Sequence, residues 1–173
     1  MNLVFTLAYS GIIKSSGNRS KRLNKHVIRE ALHPQLKDLW SKEPYHSFLE
    51  KHRPENNYQL NGFEFVPLVT EKDLMFAELD IVLLSAARKG VIGDIDGRLK
   101  TILDALRKPH TIEELPDNTV GPSRNDKPFF CLLEDDALVT SLNVRTDALL
   151  GEKEADESVL MIKVTVGARR FPV

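Results

Sequence analysis

Apolar and polar residues alternate most regularly along Met75–Leu84 (MFAELDIVLL), and the alternation gives way to a continuous apolar run. Period-two alternation buries one face of a strand and a continuous run buries both, so this segment predicts a strand central to a sheet. Ser158–Arg169 alternates as Val159, Met161, Lys163 and Thr165 and predicts another strand. Asn2–Tyr9, Phe63–Val69, Phe129–Leu133 and Ala137–Arg145 complete the expected set. Pro67 lacks an N–H to donate, which makes Phe63–Val69 an expected edge strand.

The period changes in two places. Leu23–Trp40 places Val27, Ala31, Leu32, Leu36, Leu39 and Trp40 on a helical face, with Pro34 expected to break or kink it. Over Gly97–Arg107, Leu99, Ile102, Leu103 and Leu106 follow the i, i+3, i+4, i+7 rule and predict a second helix. Ser10–Arg22 reads as an exposed basic loop and Gly151–Glu157 as an acidic turn. His110–Pro128, with Pro116, Gly121, Pro122 and Pro128, is expected to be a mobile surface loop. The expected architecture is one α+β domain over residues 1–173, a mixed β-sheet packed with helices. A long loop insertion falls at about 108–129.

Composition adds constraints. With 42% hydrophobic and 28% charged residues, the chain can bury a core and is not a disordered polyelectrolyte. No apolar run is long enough to span a bilayer. Met1–Ser10 lacks a basic leader and a small-residue cleavage site, so it reads as a strand rather than a signal peptide. Cys131 is the one cysteine, which rules out an intrachain disulfide, argues against a Cys-based zinc site and makes a reducing cytoplasm the expected compartment.

The net charge of −1 does not advertise a polyanion partner, but its distribution is uneven. The first 60 residues carry ten Lys/Arg and five acids. Basic residues cluster in Lys14–Arg29, and acids cluster at Glu134–Asp136 and Glu152–Glu157. A basic arm with an acidic centre fits a metal-dependent nuclease, and equally fits two solvated faces.

The candidate chemistry lies in Gly93-Asp94-Ile95-Asp96-Gly97-Arg98-Leu99-Lys100 and in Glu134-Asp135-Asp136. On extended chain an Asp-x-Asp pair puts both carboxylates on one side. Hard cations such as magnesium take oxygen ligands and keep several waters, so two or three converging carboxylates suffice. Lys100 follows Asp96 by one helical turn, roughly 6 Å along the axis, where it can stabilise charge on a phosphate. Asp104 lies a further turn on and reads as the ion-pair partner of Lys100 or as a supporting group. Three adjacent acids repel one another unless solvent or a cation screens them, and one of Asp135 and Asp136 is expected to face the site. Simpler readings stand beside these: Asp96 as a helix N-cap, Lys100 as a solvated partner of Asp104, and Glu134–Asp136 as an acidic turn.

Together, Asp94-Ile95-Asp96-Gly97-Arg98-Leu99-Lys100, Ile102-Leu103-Asp104-Ala105-Leu106 and Leu133-Glu134-Asp135-Asp136-Ala137-Leu138-Val139 resemble the RusA-type Holliday junction resolvases. The family pattern is Asp-x-Asp-Asn, a lysine at this spacing, a helical Asp-Ala-Leu and an Asp-Asp pair before a strand. The likeness runs from about Met75 to Val144. It implies that Asp94, Asp96 and Asp136 bind the catalytic metal, with Asp135 supporting and Lys100 as the active-site lysine. It further implies a magnesium-dependent homodimer, with manganese as a possible substitute, that cuts opposing strands of a four-way DNA junction. The chain departs from the pattern twice: Gly97 stands where the family has Asn, and the link Lys108–Phe129 is longer than usual.

On this reading Lys14, Arg19, Lys21, Arg22, Lys25, Arg88 and Lys89 are the expected DNA contacts. Two rival readings are a non-cleaving module that binds branched DNA or a protein, and a magnesium-dependent nucleotide phosphohydrolase. The chain has no GxxxxGK-type phosphate loop, which counts against an NTPase. Histidine chemistry is the weaker rival, since His26, His33, His46, His52 and His110 are scattered through expected surface segments without metal-ligand spacing.

Overall fold

The alternating segment around Leu79 forms the centre of a four-stranded sheet. A computed structural model of the chain describes residues 3–15, 17–47, 50, 58–86, 94–117, 119, 121, 127–151 and 156–169. Its strands are β1 (Leu3–Ile12), β2 (Tyr58–Leu60), β3 (Phe63–Val69), β4 (Met75–Ser85), β5 (Phe129–Leu133), β6 (Val139–Ala148) and β7 (Glu157–Ala168). The two long helices are α1 (Asn18–Trp40) and α2 (Ile95–Leu106). The larger sheet runs β1-β7-β4-β6, with β4 antiparallel to β7 and parallel to β6. The smaller runs β2-β3-β5, with β3 antiparallel to β2 and parallel to β5. The fold is α+β, as the patterning predicts, but its strands divide into two mixed sheets rather than one.

Alternation decides which face of the larger sheet is covered. Ala77, Leu79, Ile81 and Leu83 of β4 and Leu160, Ile162, Val164 and Val166 of β7 are all buried in one core with Ile28, Leu32 and Leu36 of α1 and Ile102 and Leu106 of α2. Each such side chain contributes on the order of 1.5–3 kcal/mol by leaving water. In the smaller sheet both faces are covered. Val66, Leu68, Phe130 and Leu132 join that core, while Phe63, Phe65, Phe129, Cys131 and Leu115 form a second one.

Pro67 is compatible with this arrangement for a local reason. β2 pairs with β3 only from Phe63 to Phe65, so at Pro67 the sole ladder partner is Cys131 of β5. The residue sits in a middle strand that is an edge at that point. β2 itself escaped the sequence pattern because three residues, one of them Gln59, carry too little alternation.

Two helix expectations change. α1 begins at Asn18 and continues through Pro34 to Trp40, so the basic segment expected as a loop is largely the first turns of a helix. Pro34 deprives only the carbonyl of exposed Glu30 of its helical partner, which water can replace. The next residue, Gln35, grips the edge of β1, accepting from the Ala8 amide at 2.9 Å and donating to the Ala8 carbonyl at 2.7 Å. The strand expected from Ala137 begins at Val139, because the Asp135 carboxylate accepts from the Ala137 amide at 2.8 Å and turns Asp136–Leu138 into a 3-10 turn.

The segment expected as a mobile loop is fastened where it is described. Leu115 is 2% exposed in the second core, Arg107 pairs with Glu114 at 2.9 Å, and Gly121 lies against Gly62. Prolines and polar residues hid this, since a single buried leucine makes no period. Likewise His26 and His33 are core residues, not surface ones: His33 stacks on Phe129 at 4.4 Å and accepts from the Phe130 amide, and His26 meets Phe63 edge-on. Among the described residues no helix is long and apolar enough to cross a membrane.

Candidate metal and nucleic-acid site

Asp94 is the N-cap of α2. Its Oδ1 accepts from the Gly97 amide at 3.1 Å, satisfying one of the donors a helix start leaves open. Asp96 is therefore in the first turn, not on extended chain, and the two carboxylates share the helix start rather than one face of a strand. The positive end of the helix dipole favours acids there. Asp94, Asp96 and Lys100 are all exposed.

The loop that follows β1 closes over this helix start. Thr101 Oγ1 donates to the Lys14 carbonyl at 2.7 Å, and the Lys14 amide donates to Asn24 Oδ1 at 2.7 Å. Arg98 ties the same corner together, donating to Ser85 Oγ at 2.8 Å, to Ser158 Oγ at 2.6 Å and to the Ile13 carbonyl at 3.4 Å. Gly97 is what lets the loop approach. A Cβ there would stand 2.5 Å from the Ser15 carbonyl oxygen and would also strike Asp94 Oδ2. The glycine that breaks the family pattern is thus required by packing in this chain. Sequence reasoning missed Arg98 because its role depends on three distant segments meeting.

The second acidic element follows β5, whose Leu133 pairs with Arg107 at the C-terminal end of α2, and its 3-10 turn Asp136–Leu138 packs against that helix. Glu134 has surroundings of its own, while Asp135 and Asp136 lie close together. Glu134 accepts a short hydrogen bond from Tyr58 Oη and another from the Glu71 amide at 2.9 Å. Asp135 accepts from Ala137 and faces His110 Nε2 at 3.2 Å. The Ala137 amide holds the Asp135 carboxyl below the usual carboxylate range against some burial, and a hydrogen bond with Asp136 and the charges of His110 and Arg107 add to that. Asp136 is exposed in the turn. Asp135 lies close enough to Asp136 for their side chains to hydrogen-bond, on a turn rather than on the extended chain that strand alternation requires.

Asp104 has different partners from those its spacing suggests. Burial alone would raise its pKa, but the hydrogen bond from Lys25, with the charges of Lys25, Arg107 and Lys100, outweighs that and holds it low. Its contacts are with Lys25 and, at 3.3 Å, Arg107 Nη2; Lys100 acts only at longer range. Arg29, buried between the helices, caps the end of α2 by donating to the carbonyls of Asp104 at 2.7 Å and Arg107 at 3.3 Å.

The basic residues divide accordingly. Lys25 turns inward to Asp104, its side chain 16% exposed, and leaves the basic surface. Arg19 and Arg22 reach Asp117 at 3.7 and 3.5 Å beside a hollow of about 680 Å³ at the start of α1. Lys14 is exposed next to the site, and Lys21 donates to the Ser15 carbonyl at 3.4 Å. Arg88, Lys89 and His52 lie outside the described residues.

Asp94, Asp96 and Asp136 offer exposed oxygen donors on adjoining elements, the donor chemistry that a hydrated magnesium ion takes. Among the described residues no three of the His, Cys, Asp and Glu side chains converge closely enough to enclose an ion. The chain matches no family model, no curated protein and no solved structure.

Proposed function

We propose that this chain is a magnesium-dependent endodeoxyribonuclease of the RusA type, resolving four-way or branched DNA junctions by paired phosphodiester cleavage. The observation that carries the reading is the placement of Asp94, Asp96 and Lys100 on the first turns of α2, with the turn that presents Asp136 packed on the same helix. The spacing of these four residues in the sequence and the adjacency of their elements support the same chemistry.

In this proposal Asp94, Asp96 and Asp136 hold magnesium, or manganese in its place. The metal supplies charge that polarises the scissile phosphate and makes bound water more acidic. Asp94 both caps the helix and retains Oδ2 as a donor. Lys100 stabilises the negative charge that grows on the phosphate. Lys14, Lys21, Arg19 and Arg22 border the path of the DNA backbone, so affinity falls steeply with salt. Cutting two opposing strands asks for two copies of the site, hence a homodimer, and a cytoplasmic setting fits a chain with one buried thiol.

The test is cleavage of a synthetic four-way junction in magnesium, comparing the wild type with Asp94→Asn, Asp136→Asn and Lys100→Ala. Each variant is expected to lose at least about 100-fold in rate, the scale of losing a charge-stabilising group. Undiminished cutting by Asp136→Asn sinks the metal assignment. Junction binding by the wild type without turnover assigns the chain to a binding module, and hydrolysis of nucleotides alone assigns it to a phosphohydrolase.

A further inference from the structure

β6 is the outer strand of the larger sheet, beyond β4, and most of its side chains are exposed from Val139 to Ala148. The opposite edge is treated differently, since Gln35 of α1 holds both backbone groups of Ala8 on β1. Edge strands usually carry lysine, proline or a bulge that keeps another strand from pairing. β6 contains neither lysine nor proline. Its one irregularity is at its start, where the ladder with β4 skips Thr140, and from Ser141 to Ala148 the register is unbroken.

The ladder also fixes which backbone groups are open. The Leu149 amide donates to the Ser85 carbonyl at 2.9 Å, so the odd-numbered residues of this stretch turn their backbone groups toward β4. Those of Leu142, Val144, Thr146 and Ala148 therefore point outward, away from the sheet. The Ala148 amide is met there by the carboxylate of its neighbour Asp147 at 2.7 Å, not by a strand.

The side chains of this edge complement themselves about Thr146. In an antiparallel pair with Thr146 opposite its own counterpart, Arg145 faces Asp147 of the second copy and Asp147 faces its Arg145. Opposite charges then adjoin along each strand and across the pair, and like charges meet only on the diagonals. On the other face Leu142 meets Leu150 and Val144 meets Ala148, which covers side chains that are 41% exposed at Leu142 and 86% at Leu150. Even-numbered residues oppose even-numbered ones, as the outward backbone groups require. Centring the pair on Arg145 would oppose two arginines. Centring it on Asn143 would set Asp147 against Val139, draw the skipped Thr140 into the ladder and leave Leu150 uncovered. Opposed opposite charges and apolar pairs stabilise a ladder, and opposed like charges destabilise it.

We propose that a second copy of this chain pairs its β6 antiparallel to this one about Thr146, joining the two four-stranded sheets into one continuous sheet. The same edge serves both copies, so the assembly closes as a twofold dimer. On pairing, the Ala148 amide passes to the Val144 carbonyl of the second copy and frees the Asp147 carboxylate for Arg145. The assignment does not rest on the nuclease reading, because it uses none of the acids or of Lys100.

The test is the mass in solution, measured by light scattering over a range of protein concentrations. The wild type is expected to have the mass of two chains. Arg145→Asp and Asp147→Arg each gather like charges at the axis and should raise the dimer dissociation constant at least about 10-fold. The two substitutions together restore the checkerboard and should restore the dimer, which misfolding would not do. Thr146→Pro removes an outward amide and leaves the β4 ladder intact, so the far-UV circular dichroism should stay that of the wild type while the dimer is lost. In that variant the Val144 amide should exchange its hydrogen faster than in the wild type. A monomeric wild type, a dimer that survives the single charge reversals and Thr146→Pro, or a double variant that stays monomeric overturns the assignment. A wild-type monomer that cuts junctions overturns it alone, whereas a dimer paired in this register that fails to cut them counts only against the nuclease reading.

Discussion

Replacing Gly97 by alanine sets two opposing effects on one added atom. In a helix, glycine to alanine normally stabilises by about 0.8–1 kcal/mol, because the unfolded chain has less freedom to lose. Here the added Cβ meets the Ser15 carbonyl oxygen at 2.5 Å, the Ser15 Cβ at 3.1 Å and the Asp94 carboxylate. The carbonyl is backbone, in a loop pinned by the hydrogen bonds from Thr101 to Lys14 and from Lys14 to Asn24. It cannot move aside without straining both bonds. Overpacking of this kind costs about 1–3 kcal/mol, and displacement of the Asp94 cap costs about 0.5–2 kcal/mol more. The clash wins, for a net loss of about 1–3 kcal/mol. A chain of this length shifts in Tm by about 2–4 °C per kcal/mol, so the melt should fall by several degrees. Propensity alone would raise it by about 2–4 °C. Thermal unfolding followed by far-UV circular dichroism separates the two by sign. An unchanged or higher Tm would refute the claim that the Ser15 loop rests on Gly97. Gly97→Asn, which installs the residue of the RusA pattern, should lower the Tm at least as far.

Asp104→Asn leaves Lys25 partly buried without its anion, while Arg107 keeps Glu114; the expected loss is about 3 kcal/mol, a Tm drop on the order of 10 °C, read by the same melt. The pH dependence of stability should start with His26, whose pKa burial lowers from 6.5 despite the opposing pull of Glu30. Above pH 6.5 both states are neutral and stability is full; below it the unfolded chain takes a proton that the folded chain resists, so stability falls as the pH drops. Asp104 and Asp135, both held below 3.8, add their loss only at lower pH. His26→Gln should flatten the first decline, and melts across the acid range that show the same decline in both proteins would sink the assignment.

The elements were legible because they are local consequences of burial. Leu79, Ile81 and Leu83 alternate since one face of β4 is covered, and Ile102 and Leu106 recur at helical spacing since one side of α2 is. The Asp94–Lys100 motif was visible in the same way, as a short run whose spacing the helix preserves. Asp96, the cap candidate in the sequence, is a first-turn residue and Asp94 is the cap, because the helix starts at Ile95, two residues before the expected Gly97.

Everything joining distant segments needed the tertiary structure. Lys25 and Asp104 lie 79 positions apart, and no pattern along the chain distinguishes a lysine that grips DNA from one that neutralises a buried acid. The same holds for Leu115 in the second core, for Arg98 between Ser85 and Ser158, and for Lys108 over Tyr58. By itself the sequence determined the strands, the two helices and the acidic motifs, since periodicity and short spacing are properties of contiguous chain. Only the tertiary structure decided that Gly97 carries a loop, which carboxylates are already spent and which cations remain available. Those outcomes depend on Coulomb and packing terms that act between residues the chain brings together only after it has folded.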